Sequence, residues 1–115
     1  MNHLSDLKTS ITPFECAMKL LESEPLNTDK IYEEYHTPAE GIEFCVLVFE
    51  RFYFRTGGRA SLTVIMENVR GDNKVRCISA GSAESLISFD WGAGKSFVNK
   101  VKEILGPYTL GNNLK

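Results

Sequence analysis

The chain has 115 residues, a net charge of −2, and is 43% hydrophobic and 24% charged. This is the composition of one soluble globular domain, and it excludes a collagen-like, disordered or disulfide-stapled chain. Three cysteines, Cys16, Cys45 and Cys77, are odd in number, far apart and in apolar surroundings, so they read as reduced core residues of a cytoplasmic protein.

Met1 to Ser10 is polar and does not read as a secretion signal. The longest apolar run breaks at Glu50-Arg51, too soon to cross a bilayer, so no membrane association is expected. Charge is uneven: residues 1–50 carry three lysines against ten acids, whereas 51–76 carry six cations against two acids. Such asymmetry can mark a nucleic-acid surface or merely place acidic helices beside basic strand ends. The acidic overall balance argues against nucleic acid.

In chain order, Leu7 to Ile11 alternates as a short strand does. Thr12-Pro13-Phe14-Glu15 spells a capping box with proline at the first helical position, and Ile11 with Cys16 can form its hydrophobic staple. The helix that follows places Phe14, Ala17, Met18 and Leu21 on one face and stops before Pro25. Asn27 or Thr28 can cap a second, short helix carrying Ile31, Tyr32 and Tyr35. Thr37 to Gly41 reads as a loop.

Strands are expected at 42–56, 60–69, 74–81 and 86–90, joined by turns short enough to force an antiparallel meander. The two-residue period assigns Ile42, Phe44, Val46, Val48, Phe52 and Phe54 to the core with Ala60, Leu62, Val64 and Met66. Joining those sets on one face requires a bulged or three-residue loop at Gly57-Gly58. A turn centred on Gly71-Asp72 then places Met66 beside Cys77 and Glu67 beside Arg76, with Ile87, Phe89 and Trp91 completing the core. A final helix, Ala93 to Leu105, turns Phe97, Val98, Val101, Ile104 and Leu105 inward; Gly106-Pro107 stops it, and the tail from Thr109 is expected to be loose.

Gly94-Lys95-Ser96 lacks the glycine five residues upstream that a phosphate-binding loop needs, since Phe89 stands there. It reads instead as a tight turn, with Asp90 as the structural cap of the final helix. Arg70-Gly71-Asp72 reads as a hairpin turn. Arg51, Arg55 and Arg59 with Tyr32 and Tyr53 can form a cationic aromatic patch, more often solvated or paired with carboxylates. His3 and His36 offer no metal or Cys-His spacing, so no catalytic residue, metal or cofactor is assigned. Glu50 and Asp90 are the acids in the most apolar surroundings; pairing of Glu50 with an arginine is the structural reading, general acid-base work the functional one.

Val48-Phe49-Glu50-Arg51-Phe52-Tyr53-Phe54-Arg55, Arg59-Ala60-Ser61-Leu62-Thr63-Val64 and above all Phe89-Asp90-Trp91-Gly92-Ala93 resemble a family of small bacterial proteins catalogued only as a domain of unknown function. The resemblance runs over nearly the whole chain, including the Thr12 helix start, and departs from the usual spelling at Gly57-Gly58 and Gly81-Ser82-Ala83. It implies a stand-alone domain and brings no activity, ligand or site.

The expected architecture is α+β in two layers: strand, helix, short helix, four-strand meander, helix. An antiparallel sheet of four or five strands is covered by helices, as in TATA-binding-protein-like and helix-grip arrangements, an analogy that carries no function. The expected role is a non-enzymatic cytosolic binding module with an unidentified protein partner or a second copy of itself. Phe49, Arg51, Tyr53 and Arg55 form its expected interaction surface, because Cys45, Leu47 and Phe49 would otherwise lie open. Two alternatives stand against this. The second helix, through Ile31 and Tyr35, can close that face, or a ligand pocket or enzyme site can lie between sheet and final helix.

Overall fold

The computed structural model describes residues 2–24, 26–53, 58–81 and 93–111, with side chains over 4–24, 26–52, 58–81 and 98–111. Its elements are β1 (Asn2–Thr9), α1 (Pro13–Leu21), α2 (Leu26–Asp29), β2 (Lys30–Ala39), β3 (Ile42–Tyr53), β4 (Gly58–Glu67), β5 (Asn73–Gly81) and α3 (Ala93–Leu105), then a 3-10 turn at Gly106–Tyr108. The strands form one five-stranded antiparallel sheet in the order β1-β5-β4-β3-β2. Strands β2 to β5 are a meander, and β1 pairs with β5. This is the expected α+β, two-layer architecture. The strand expected at 86–90, its core residues Ile87 and Phe89, and the cap Asp90 lie outside the described residues, as does Trp91.

Local chemistry starts α1 as anticipated. Thr12 Oγ1 accepts the Glu15 N–H at 3.1 Å and Glu15 Oε1 accepts the Thr12 N–H at 2.9 Å, with Pro13 at the first helical position. These contacts satisfy N–H groups that a helix start leaves without partners. The Phe14 N–H, too early in the helix for an intrahelical partner, donates to Glu43 Oε1 of β3 at 3.0 Å, which fixes the helix to the sheet. Thr12→Ala should lower the unfolding free energy by about 1 kcal/mol, read as an earlier urea midpoint at unchanged m. An unchanged midpoint would show that the box does not hold the helix.

The buried stripe of α1 is Pro13, Cys16, Ala17 and Leu20, not the expected Phe14, Ala17, Met18 and Leu21. Met18 is 61% exposed. Both stripes have helical spacing, and the helix rolls so that Phe14 and Leu21 sit at the margin of the core.

The expected second helix is a strand for most of its length. Only Leu26–Asp29 is helical, and Lys30–Ala39 pairs with β3 as an edge strand. Isoleucine and tyrosines suit a pleated surface better than a helix this short. The register shifts between Lys30 and Tyr32 and again between His36 and Ala39. Bulges and Pro38 are both features compatible with an edge. The loop expected at 37–41 shrinks to Glu40-Gly41, where Gly41 takes φ 80°.

The face assigned to β3 is also reversed. Leu47 pairs with Val64 and Phe49 with Leu62, so odd residues of β3 oppose even residues of β4. Cys45, Leu47 and Phe49 therefore join Leu62, Val64, Met66, Val75 and Cys77 in the core, and the even residues of β3 point to the other face. The pairing is unbroken from Phe44 to Tyr53 and requires no bulge there. Positions 54–57, with Phe54 and Gly57, are outside the described residues.

Between β4 and β5 the register differs from expectation by two residues. Met66 opposes Val75, Glu67 opposes Lys74 and Ile65 opposes Arg76. A two-residue slip preserves the faces, which is why Cys77 is still buried. Glu67 and Arg76 are thus not direct cross-strand partners, and Arg76 binds Asp6 of β1 instead.

Leu26 of α2 and Val98, Val101 and Leu105 of α3 complete the core beneath α1. Past the 3-10 turn the chain is tied to β1, contrary to the expected loose tail. Thr109 bridges Thr9, the Ser10 N–H donates to the Tyr108 carbonyl at 2.8 Å, and the Leu110 N–H donates to the Lys8 carbonyl at 2.9 Å.

Candidate interaction face

The two faces of the sheet differ. One carries the helices; on the other, no helix packs among the described residues. The strand pairings place Leu4, Ile78, Thr63, Val48 and Tyr32 in one row across all five strands of this open face. The next row is Asp6, Arg76, Ile65, Val46 and Glu34, and the one beyond is Lys8, Lys74, Glu67, Phe44 and His36. Leu4 is 63% exposed, Tyr32 51% and Phe52 49%. Ile42, Phe44, Val46, Val48 and Phe52, expected in the core, are thus on the open face.

Charges border the apolar rows. At the β1–β5 side Arg76 Nε donates to Asp6 Oδ1 at 3.2 Å, and Lys74 Nζ lies 4.0 Å from Asp6 Oδ2. On β2 the Tyr32 hydroxyl donates to Glu34 Oε1 at 2.7 Å, and His36 Nε2 contacts the other Glu34 oxygen. The Tyr32 hydroxyl and then His36 hold the Glu34 carboxyl below the usual carboxylate range. Glu50 is paired with an arginine, as expected: Arg59 Nη1 is 3.6 Å from its Oε2. The same guanidinium lies 5.9 Å from the Phe52 ring centroid.

The interaction surface expected from sequence is not assembled as an open surface. Phe49 is 0% exposed beneath the helix layer. Arg51 is partly buried and donates through Nε and Nη2 to Asp29 Oδ2 of α2, at 2.9 and 2.7 Å. The reason is the reversed parity of β3, which turns Phe49 and Arg51 toward the helices. The side chain of Tyr53 and all of Arg55 are outside the described residues. This face is closed within the chain, through α1 and α2 rather than a helix extending to Tyr35. Asp29→Ala should cost about 1.5 kcal/mol, because it removes charge-assisted hydrogen bonds to a half-buried guanidinium. A double-mutant cycle with Arg51→Ala measures the pair; a coupling near zero would show that it is only a surface contact.

Other candidate chemistry is sparse. Glu50 points to the open face, so it does not line a cavity beneath α3. Thr9, Cys16 and Asn73 form a buried polar cluster: Asn73 Nδ2 donates to Thr9 Oγ1 at 2.9 Å and to Cys16 Sγ at 3.1 Å. Burial pushes the Cys16 thiol up, against the opposing hydrogen bonds from Thr9 and Asn73, which is the reverse of nucleophile activation. A cleft of about 110 Å³ lies beside this cluster, between Thr9–Thr12 and the β4–β5 turn. Arg70-Gly71-Asp72 is that exposed turn, with Gly71 at φ 118°. Gly94 to Ser96 falls in the first turn of α3, where side chains are outside the described set. Among the described residues no group of three His, Cys, Asp or Glu is placed to hold a metal ion, and no helix is long and apolar enough to cross a membrane.

Sequence reasoning missed Asn68, whose Oδ1 accepts the Glu43 N–H at 2.8 Å and whose Nδ2 donates to the Gly41 carbonyl at 3.1 Å. This clasp holds the start of β3 against the end of β4, and no local pattern announces it. Compared with known proteins, residues 6–109 match the model of a family of unknown function (DUF6054). No curated protein and no solved structure matches the chain.

Proposed function

We propose, from the premise that the chain belongs to this family of unknown function, that it is a non-enzymatic binding module. In this reading it takes a protein partner on the open face of the sheet, in the cytoplasm. The observation that carries the reading is the row from Leu4 to Tyr32, whose two ends are, among the described residues, the most exposed large hydrophobic side chains on that face. A broad apolar surface rimmed by charge is characteristic of an association site, and isolated exposed leucines are not. Tyrosine and arginine at its margins are the side chains enriched at interfaces. Three buried free thiols suit a reducing compartment.

Native mass spectrometry of the purified protein tests the reading. A complex with a second polypeptide, of the same or another kind, is expected. A chain of monomer mass that retains a small molecule would overturn it in favour of a ligand pocket or enzyme.

A further inference from the structure

We propose that the cleft between the β1–α1 corner and the β4–β5 turn binds a primary ammonium group, the head of a small amine or of a lysine side chain. The site is separate from the open face and goes beyond the binding-module reading above.

The observation that carries it is Asn73. This side chain is 3% exposed and belongs to the cleft wall. The Thr9 hydroxyl spends its one proton on the Ile11 carbonyl at 2.9 Å, so toward Asn73 it can only accept. That places Asn73 Nδ2 on Thr9 Oγ1 and Cys16 Sγ and leaves Oδ1 as the other corner of the amide. Asn73 Oδ1 is buried, and among the described residues no donor reaches it. A buried carbonyl oxygen without a donor is costly and rare in folded proteins, so the site favours a ligand that brings one.

The rest of the cleft accepts as well. Ser10 Oγ donates to the Tyr108 carbonyl, Asn68 Nδ2 to the Gly41 carbonyl, and the Gly71 N–H to the Asn68 carbonyl. Among the side-chain donors of the lining only the Thr12 hydroxyl proton is uncommitted, so an anion finds little to hold it. The exposed Asp72 carboxylate has no ion pair among the described residues, not even with Arg70 of its own turn.

Asn73 Oδ1, the Asp72 carboxylate and the second lone pair of Thr12 Oγ1 are thus acceptors for the N–H donors of one ammonium. They come from both walls of the cleft. The charge-assisted bond to Asp72 is the strongest of them. Size agrees: the cleft measures about 110 Å³, and a group as small as a water takes about 30 Å³, so an aminomethyl end fits with water beside it. A divalent metal ion is a poorer match. It takes about six to eight oxygen ligands, commonly with several carboxylates, and Asp72 is the single carboxylate of the lining.

Amide NMR of the isotope-labelled chain tests the site, with methylammonium chloride as the probe. The Asn73 side-chain NH2 signals and the Gly71 and Asp72 backbone amides should shift saturably, with a Kd of about 10 mM, near the ceiling for so small a ligand. Tetramethylammonium chloride, with the same charge and no N–H donor, should leave them unmoved. Asp72→Asn, at an exposed turn, should keep the fold and weaken methylammonium binding about tenfold. Asn73 is read through its own signals rather than replaced, because its bonds tie β1 to α1. Nα-acetyl-lysine amide separates the two sources of the ammonium. Saturation at a lower concentration than methylammonium assigns the site to a polypeptide lysine, and any other order to a free amine.

Equal shifts with tetramethylammonium, or undiminished binding by Asp72→Asn, overturn recognition of the ammonium. Calcium chloride saturating the same signals where methylammonium does not overturns the ligand class. No saturable shift with any probe means that the cleft holds only water, and the proposal falls. A ligand this weak is lost in purification, so native mass spectrometry still reads the binding-module proposal by itself, and either can fail without the other.

Discussion

Phe49→Ala should lower the unfolding free energy by about 3–5 kcal/mol, whereas Phe52→Ala, three residues along the same strand, should cost less than about 1 kcal/mol. Phe49 is fully enclosed by the helix layer and opposes Leu62, so its loss leaves a cavity that a close-packed core cannot refill. Phe52 is 49% exposed on the other face and gives up only part of its contact with water-accessible neighbours. A domain of this size has about 5–15 kcal/mol of stability, so the first variant should stand near its unfolding threshold at room temperature. Urea midpoints at unchanged m give the comparison directly. The reverse order of costs would mean that β3 presents its even residues to the core, and the whole open-face argument would collapse with that parity.

That parity was the least legible feature of the sequence. Along β3 both Phe44-Val46-Val48 and Cys45-Leu47-Phe49 are apolar, so a two-residue period identifies a strand without identifying its inner face. The choice is made by the pairing with β4, a long-range fact, in which Leu47 meets Val64. Strand β4 was legible because only its even set is strongly apolar, and β5 kept its face even though the register moved by two. Helix α1 was read correctly at its start because a capping box is local chemistry among four neighbouring residues. Helix α3 was read over the range observed, because its stripe and the Gly106-Pro107 stop are both local. Residues 30–36 were misread because Ile31, Tyr32 and Tyr35 fit one face of a short helix as well as an edge strand. Only the bonds to β3 decide the matter. The candidate face is accordingly visible in composition but not in side: the two-residue period assigns its apolar residues to the core and Cys45, Leu47 and Phe49 to the surface, and the pairing with β4 reverses both.

Stability should also fall steeply in alkali, and the buried thiols are the cause. Burial pushes Cys45 and Cys77 up to about 12, and Cys45 Sγ lies 3.6 Å from the Pro13 carbonyl, a contact that only the protonated thiol can make as donor. In an unfolded chain a thiol ionises near about 8.5. Below that pH both states hold the proton, and the thiols contribute no pH dependence. Above it the unfolded chain releases protons that the folded chain retains, so the unfolded state binds fewer and the unfolding free energy drops as pH rises. The loss continues until the folded thiols ionise near 12. Each thiol contributes about 1.4 kcal/mol per pH unit, and the two together about 2.7. Cys16, also pushed up by burial, acts in the same direction. Between about pH 9 and 10.5 the pair alone removes about 4 kcal/mol, a large share of the stability of a domain this size. Other groups of the unfolded chain ionise in the same interval, so the decisive measurement is a comparison: melting temperature against pH for the wild type and for Cys45→Ala/Cys77→Ala. The variant should start lower at neutral pH, because two small cavities are opened, yet decline much less above pH 9. Parallel curves would mean that both thiols ionise within the folded protein, and the sealed core on which the open-face assignment depends would then be accessible to solvent.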